Sequence, residues 1–145
     1  MSRIDFYQLG RDPVERVVCL LAAKACETGA RLAIFHSDED RRGEISEALW
    51  KAEGFLANGM AGEADEARQP ILLAANPPVA NTASIAIAAD GQWRGVIAGT
   101  QRNLLLFPPE KTAEARALWR ELSGTQGHAL HIFKQGPDGA WREGR

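Results

Sequence analysis

The chain has 145 residues, a length that favours one domain over residues 1–145 with a sizeable hydrophobic core. Its composition, 45% hydrophobic and 25% charged residues, is typical of water-soluble globular proteins and not of disordered or membrane-spanning ones. The amino terminus lacks the apolar core of a signal peptide, so we expect a cytoplasmic protein that does not bind membranes. The formal net charge of −2 argues against a protein whose main task is to grip phosphates, so any contact with DNA is expected to be indirect.

The cysteine and acidic residues predict neither a disulfide nor a metal site. Cys19 and Cys26 are seven residues apart on a predicted helix, which separates their Cα atoms by roughly 10 Å, too far for a disulfide. No Cys/His spacing suggests zinc. The acidic run Asp38-Glu39-Asp40 has no partner ligands at suitable spacing and is explained by a helix start. We therefore expect free thiols, no metal and no cofactor.

The first third of the chain alternates between strand and helix patterns. Apolar spacing predicts a strand, a helix, a second strand and a second helix, over residues 4–9, 13–28, 31–35 and 38–51. Asp12 is a good N-cap for the first helix and Ser37 for the second. Because the connections between strand, helix and strand are short, the two strands are expected to be parallel.

The rest of the chain continues the alternation. Further strands are predicted over residues 69–74, 84–88, 103–107 and 129–133, with a helix over residues 110–123. Residues 54–65 are predicted as a loop, residues 93–99 as a short helix or a loop, and the tail as a turn followed by an aromatic anchor at Trp141. The pattern indicates an α/β protein, a single three-layer domain with a mostly parallel sheet. It has no nucleotide-binding loop, because the first strand–helix turn reads Gly10-Arg11-Asp12-Pro13 and no Gly-Lys-Ser/Thr occurs elsewhere.

Catalytic motifs are absent from the sequence, although one alternative stays open. His36 ends a predicted strand, but no Gly-x-Ser-x-Gly elbow or paired cysteine motif accompanies it. His128 and His131 flank the last predicted strand and are expected at the surface. The alternative is a small enzyme with a pocket at the carboxyl ends of the strands, near His36 and Asp90.

Two surfaces stand out as candidates for binding another protein. Trp50 and Phe55 flank the end of the second helix, where they are either core residues or interface anchors. Arg116, Trp119 and Arg120 share one face of the last helix. Two guanidinium groups beside an indole suit a carboxylate that is attached to an aromatic side chain, and the alternative is a solvated basic stripe.

Five motifs, in this order and spacing over nearly the whole chain, resemble the chi subunit of bacterial DNA polymerase III holoenzyme. They are Phe6-Tyr7-Gln8-Leu9, Ala48-Leu49-Trp50 with Phe55-Leu56 and Gly59, Gln69-Pro70-Ile71-Leu72-Leu73, Ala115-Arg116-Ala117-Leu118-Trp119, and Gly127-His128. The resemblance implies a Rossmann-like fold without a nucleotide or other cofactor. It also implies no enzymatic activity of the isolated subunit, which is part of a DNA-directed DNA polymerase holoenzyme.

The resemblance also implies two partners and assigns residues to each. It places the chain in the clamp-loader complex, bound to a psi subunit through Trp50 and Phe55, or to a helicase at the same surface. It further implies binding of the acidic, aromatic-ended C-terminal tail of single-stranded DNA-binding protein. The implied tail-binding residues are Phe107, Lys111, Arg116, Trp119 and Arg120.

The sequence departs from the family pattern at the tail-binding helix. Thr112 stands where the family has a lysine, so that Lys111 or Arg120 is expected to supply the missing charge. A further alternative therefore stays open, in which the chain is a diverged protein-interaction module of the same fold with other partners.

Overall fold

One eight-stranded sheet organises the chain in a computed structural model, which describes residues 2–125 and 127–144. Within these residues the strands are β1 (Ser2–Gln8), β2 (Leu32–Phe35), β3 (Gly59–Met60), β4 (Ile71–Ala74), β5 (Ile85–Ala88), β6 (Arg102–Phe107), β7 (His128–Gln135) and β8 (Trp141–Gly144). The helices there are α1 (Val14–Glu27), α2 (Glu39–Lys51) and α3 (Thr112–Ser123), with 3-10 turns over Glu66–Arg68 and Pro109–Lys111.

The sheet is parallel except at one edge. The strand order is β3-β4-β2-β5-β6-β1-β7-β8, and β8 alone pairs antiparallel with its neighbour among the described strands. β1 and β2 are parallel, as predicted, but they are not neighbours, because β5 and β6 lie between them. The predicted α/β class with a mostly parallel, Rossmann-like sheet is confirmed.

The helices pack on both faces of the sheet. On one face, Val17 and Val18 of α1 and Ile45 and Leu49 of α2 join a core cluster with strand residues such as Ile34. On the other face, α3 packs through Ala115 onto Phe6 and Phe107. Since strand side chains alternate between faces, the central strands β1, β2, β5 and β6 contribute to both layers of core. The structure therefore has the three predicted layers.

Both predicted helix caps are wrong, for the same kind of reason. The N-cap position of α1 is Pro13, while the Asp12 carboxylate accepts a hydrogen bond from Nε2 of Gln135 at 2.8 Å. The N-cap of α2 is Asp38, whose Oδ1 accepts from the backbone N–H groups of Asp40 and Arg41. Each predicted residue makes a contact with a residue distant in sequence instead. Asp12 binds Gln135, and the backbone N–H of Ser37 donates to the carboxylate of Asp90.

Two local predictions also differ from the structure. The tail is not only a turn with an anchor, since Trp141 begins β8 and packs edge-on against Tyr7 at a centroid distance of 5.4 Å. The predicted 54–65 loop contains β3.

The structure also describes the thiols, the potential metal ligands and the lengths of the helices. Cys19 and Cys26 are free and half-buried, and burial raises the pKa of both thiols. In residues 2–125 and 127–144 no group of three or more His, Cys, Asp or Glu side chains is arranged to hold a metal ion. None of the helices described over that part of the chain has both the length and the apolarity needed to cross a membrane.

Candidate functional site

A groove lies between α3 and the carboxyl ends of three adjacent strands. Its floor follows from strand register: Phe6 of β1 is level with Leu105 of β6 and Ile132 of β7. Two residues further on, Gln8 is level with Phe107 and Lys134. Because residues i and i+2 of a strand face the same side, both rows point toward α3. The sheet thus supplies an apolar row that ends in a polar and cationic one.

One face of α3 forms the wall of this groove. The side chains recur at helical spacing, which brings Thr112, Ala115, Arg116, Trp119 and Arg120 to one side. Together with Phe6, Gln8, Phe107, Ile132 and Lys134 they enclose about 160 Å³, a volume we call the α3 groove. It suits one aromatic side chain with its attached polar groups better than a large cofactor.

Aromatic rings define the inner end of the α3 groove. The rings of Phe6 and Trp119 meet edge to face, with centroids 5.3 Å apart and planes at 67°. Phe6 and Phe107 are arranged in the same way at 6.5 Å and 78°. Phe6 and Phe107 are fully buried, whereas Trp119 is half-buried and borders the opening. These contacts fix the indole in place and leave one of its sides accessible.

Cationic groups stand at the rim of the α3 groove. Arg116, Arg120 and Lys134 are exposed, and none of them joins an ion pair within residues 2–125 and 127–144. By contrast, Arg102 is bound to Asp5 at 2.6 Å on the other side of β6. The rim therefore offers positive charge that no acidic partner of the described chain neutralises.

The structure brings together four of the five residues implied for tail binding. Phe107, Arg116, Trp119 and Arg120 line the α3 groove, but Lys111 does not. Its Nζ donates to the backbone oxygen of Asp90 at 3.2 Å, in a separate depression of about 180 Å³. Lys111 is therefore not among the residues that line the α3 groove beside Thr112.

Sequence reasoning missed the floor of the groove. The residues it did not single out are Phe6, Gln8, Ile132 and Lys134. Strand alternation places Phe6 and Gln8 on one face, but nothing local in the sequence indicates that β1 inserts between β6 and β7. The pairing of these strands is what makes the residues neighbours.

The second predicted surface lies at the end of α2 and differs in shape. Trp50 is 48% exposed and Phe55 is 75% exposed. The core positions are filled instead by Leu49 and Leu56, and the N–H of Leu56 donates to the oxygen of Leu49. Phe55 has a φ of 52°, a left-handed conformation that is costly for a bulky side chain. The core-packing interpretation of Phe55 is therefore wrong.

The His36–Asp90 region is a structural clamp. Asp90 forms a buried ion pair with Arg94 at 2.7 Å and also accepts backbone hydrogen bonds from Ser37 and Gln92. Burial alone would raise the pKa of Asp90, but these donors outweigh it and hold the pKa well below its usual range. The Arg94 guanidinium also lies over the Phe35 ring at 5.6 Å.

The neighbouring histidine is engaged as well. Nδ1 of His36 accepts a hydrogen bond from the N–H of Asp38, and burial lowers the pKa of His36. These contacts tie the ends of β2 and β5 to the start of α2 and to the loop after β5. His36 and Asp90, the side chains that the catalytic alternative requires, are thus engaged in contacts that fix the neighbouring loops. This argues against the catalytic alternative.

Two comparisons with known proteins agree on a family. The chain matches the family model described as DNA polymerase III chi subunit, HolC, over residues 1–131. Among curated proteins, the DNA polymerase III subunit chi of Escherichia coli (strain K12) is 34% identical over 83 residues, which cover 51% of this chain and 56% of the relative. The chain thus aligns with only about half the length of that curated relative. Since the family model spans far more than half of the chain, this protein belongs to the DNA polymerase III chi subunit family.

Proposed function

We propose that this chain is a non-catalytic accessory subunit of the DNA polymerase III clamp-loader complex. In this role it links the complex, through a psi-like partner, to the C-terminal tail of single-stranded DNA-binding protein during DNA replication. The α3 groove is the observation that carries the proposal, because it combines a recessed aromatic site with rim cations that have no ion-pair partner in residues 2–125 and 127–144.

The chemistry of the groove suits the end of an acidic peptide. An aromatic side chain would enter between Trp119 and the Phe6–Phe107 pair, where edge-to-face contacts are available. Arg116 and Arg120 would hold the terminal carboxylate, since guanidinium groups bind carboxylates with two parallel hydrogen bonds. A site of this size buries little surface, so we expect an affinity of about micromolar that weakens with added salt.

The second surface would hold the clamp-loader side of the link. Trp50 and Phe55 expose large rings at the end of α2, and aromatic residues of this kind often contribute most of the binding energy of an interface. The strained backbone of Phe55 supports this role, because strain without a packing benefit is characteristic of functional positions. A psi-like subunit is the proposed partner, and a helicase at the same surface is the other candidate.

A peptide titration tests the tail-binding part of the proposal. The full chain is titrated against a fluorescent peptide ending in Asp-Phe-Pro-Phe, and binding is followed by anisotropy. Arg116→Ala should weaken binding about tenfold or more, because it removes a charge-assisted hydrogen bond. The matched control is Lys24→Ala, which removes an exposed positive charge from α1 on the opposite face of the sheet.

Each outcome of this titration has a definite meaning. Binding by wild type and by the Lys24 variant, with loss in the Arg116 variant, supports the proposal. Absence of binding at high micromolar peptide, or equal binding by the Arg116 variant, contradicts the assignment of the α3 groove to the tail.

A further inference from the structure

The floor of the α3 groove continues outward across the sheet edge. Lys134 of β7 is level with Gln8 on one side and with Arg142 of β8 on the other. Directly opposed residues of neighbouring strands face the same side, so that Phe107, Gln8, Lys134 and Arg142 form one row on the α3 side. With strands about 4.8 Å apart, the row is about 14 Å long.

The outer half of this row is cationic and available. Lys134 joins no ion pair among the described residues, as noted above. Arg142 is 71% exposed at its side chain and lies 3.6 Å from the Asp138 carboxylate. An exposed, long contact of that kind contributes little free energy, so that the Arg142 guanidinium can turn to another carboxylate at small cost.

The opposite end of the groove carries the other sign of charge. Glu110 lies just before α3 and Glu114 in its first turn, and both side chains are exposed. The one lysine there, Lys111, already contacts the backbone of Asp90. An acidic chain that leaves the aromatic end of the groove is therefore repelled from the β6 side and attracted toward β8.

We infer that Lys134 and Arg142 form a second, cationic subsite that binds acidic residues upstream of the terminal ring of the tail, an inference that rests on the proposed function. The tail lies across the strands, with its ring beside Trp119 and its preceding residues over β7 and β8. An extended peptide covers about 3.3 Å per residue, so a row about 14 Å long corresponds to about four residues. Arg142 thus contacts an acidic residue about four positions before the ring. Lys134 is two strand spacings, about 10 Å, from Phe107, so that it contacts a residue about three positions before the ring.

The subsite lies in a part of the chain that the family match does not reach. The match ends at residue 131, whereas Lys134 and Arg142 belong to the hairpin formed by the second half of β7 and by β8. This hairpin is held to the body of the protein through Trp141 and Gln135, the latter donating to Asp12. The two cations therefore sit on an anchored platform and not on a loose tail.

Peptides with a single movable charge test the inference. Each peptide ends in Phe within an otherwise neutral sequence and carries one Asp at three, four or six positions before the ring. The full chain, Lys134→Gln and Arg142→Gln are titrated against each. Arg142→Gln should weaken binding about twofold to fivefold for Asp at position four and leave an all-neutral peptide unchanged. Lys134→Gln should act most strongly with Asp at position three.

Two further variants separate the possible failures. Arg142→Glu should weaken the position-four peptide more than Arg142→Gln does, because it adds repulsion, and Arg116→Ala should weaken every peptide. If the Arg116 variant is impaired while both hairpin variants bind all peptides like wild type, the subsite is wrong and the proposed function stands. If wild type binds none of the peptides and no tail, both fail.

Discussion

The α3 groove and the end of α2 present aromatic residues in opposite ways. In the groove, Phe6 and Phe107 are buried and Trp119 is half-buried against them, so the rings belong to the core and to the site at once. At the end of α2, Trp50 and Phe55 stand out from a core that Leu49 and Leu56 already fill. The first surface is a groove that suits a small chain end, whereas the second exposes two large rings and suits a partner that brings its own pocket.

The two regions also differ in whether their positive charges are paired with acidic side chains. The rim cations of the α3 groove are unpaired among the described residues, whereas Lys51 beside Trp50 is bound to Glu47 at 2.6 Å. The groove is therefore built to attract an anion, and the end of α2 to bury apolar surface. If this comparison is right, changes in the two regions should affect stability, partner choice and salt dependence separately.

The largest expected difference between the two regions is in how substitutions change the free energy of unfolding. Phe107→Ala should lower the free energy of unfolding by about 3–5 kcal/mol, because it leaves a cavity under α3. Phe55→Ala should lower it by no more than about 0.5 kcal/mol, since the ring is mostly in water. Chemical denaturation of the two variants measures the difference, and equal losses would contradict the assignment of Phe55 to a surface role.

Partner binding should separate them next. Trp50→Ala should weaken the complex with a psi-like subunit or helicase by about 2 kcal/mol, roughly thirtyfold, as for a central interface aromatic. The same variant should bind the Asp-Phe-Pro-Phe peptide with wild-type affinity, because Trp50 is not part of the α3 groove. Calorimetry with each ligand provides both values. A variant that loses both would indicate one shared site.

Salt should have a smaller effect, confined to one region. Raising the ionic strength from about 0.05 to 0.5 M should weaken peptide binding to the α3 groove about fivefold, because exposed charges are screened. The complex at Trp50 and Phe55 should change by less than about twofold, since apolar burial dominates there. Parallel titrations at the two salt concentrations test this, and a reversed dependence would break the comparison.

Backbone strain gives the smallest expected effect. Phe55→Asn should leave the free energy of unfolding unchanged or raise it by up to about 1 kcal/mol, because asparagine tolerates the left-handed conformation. It should nevertheless impair partner binding like Trp50→Ala does. Thermal unfolding of this variant beside Phe55→Ala isolates the contribution of strain; a marked destabilisation would show that the ring has a packing role.

The sequence predicted the elements of the fold better than their arrangement. Apolar periodicity is a local property, and it located the strands and helices and the shared face of Arg116, Trp119 and Arg120. Which strands become neighbours depends on long-range pairing, so the insertion of β1 between β6 and β7 was not predicted. The floor residues Gln8 and Lys134 were missed for that reason.

Short and charged segments limited the rest of the prediction. β8 begins at Trp141 and continues with Arg142 and Glu143, a pattern too brief and too polar to identify as a strand. Its formation requires the hairpin partner β7 and the contact between Trp141 and Tyr7. The helix-cap predictions were wrong for a similar reason, because Asp12 and Ser37 form hydrogen bonds with residues distant in sequence, Gln135 and Asp90.

Retention of a psi-containing clamp-loader complex on immobilised single-stranded DNA coated with its binding protein tests the central claim most directly. The full chain should retain the complex, and Arg116→Ala and Trp50→Ala should each abolish retention, the first by losing the tail and the second by losing the partner. Lys24→Ala should behave like wild type. Retention that both variants preserve would contradict the account of a two-surface adaptor.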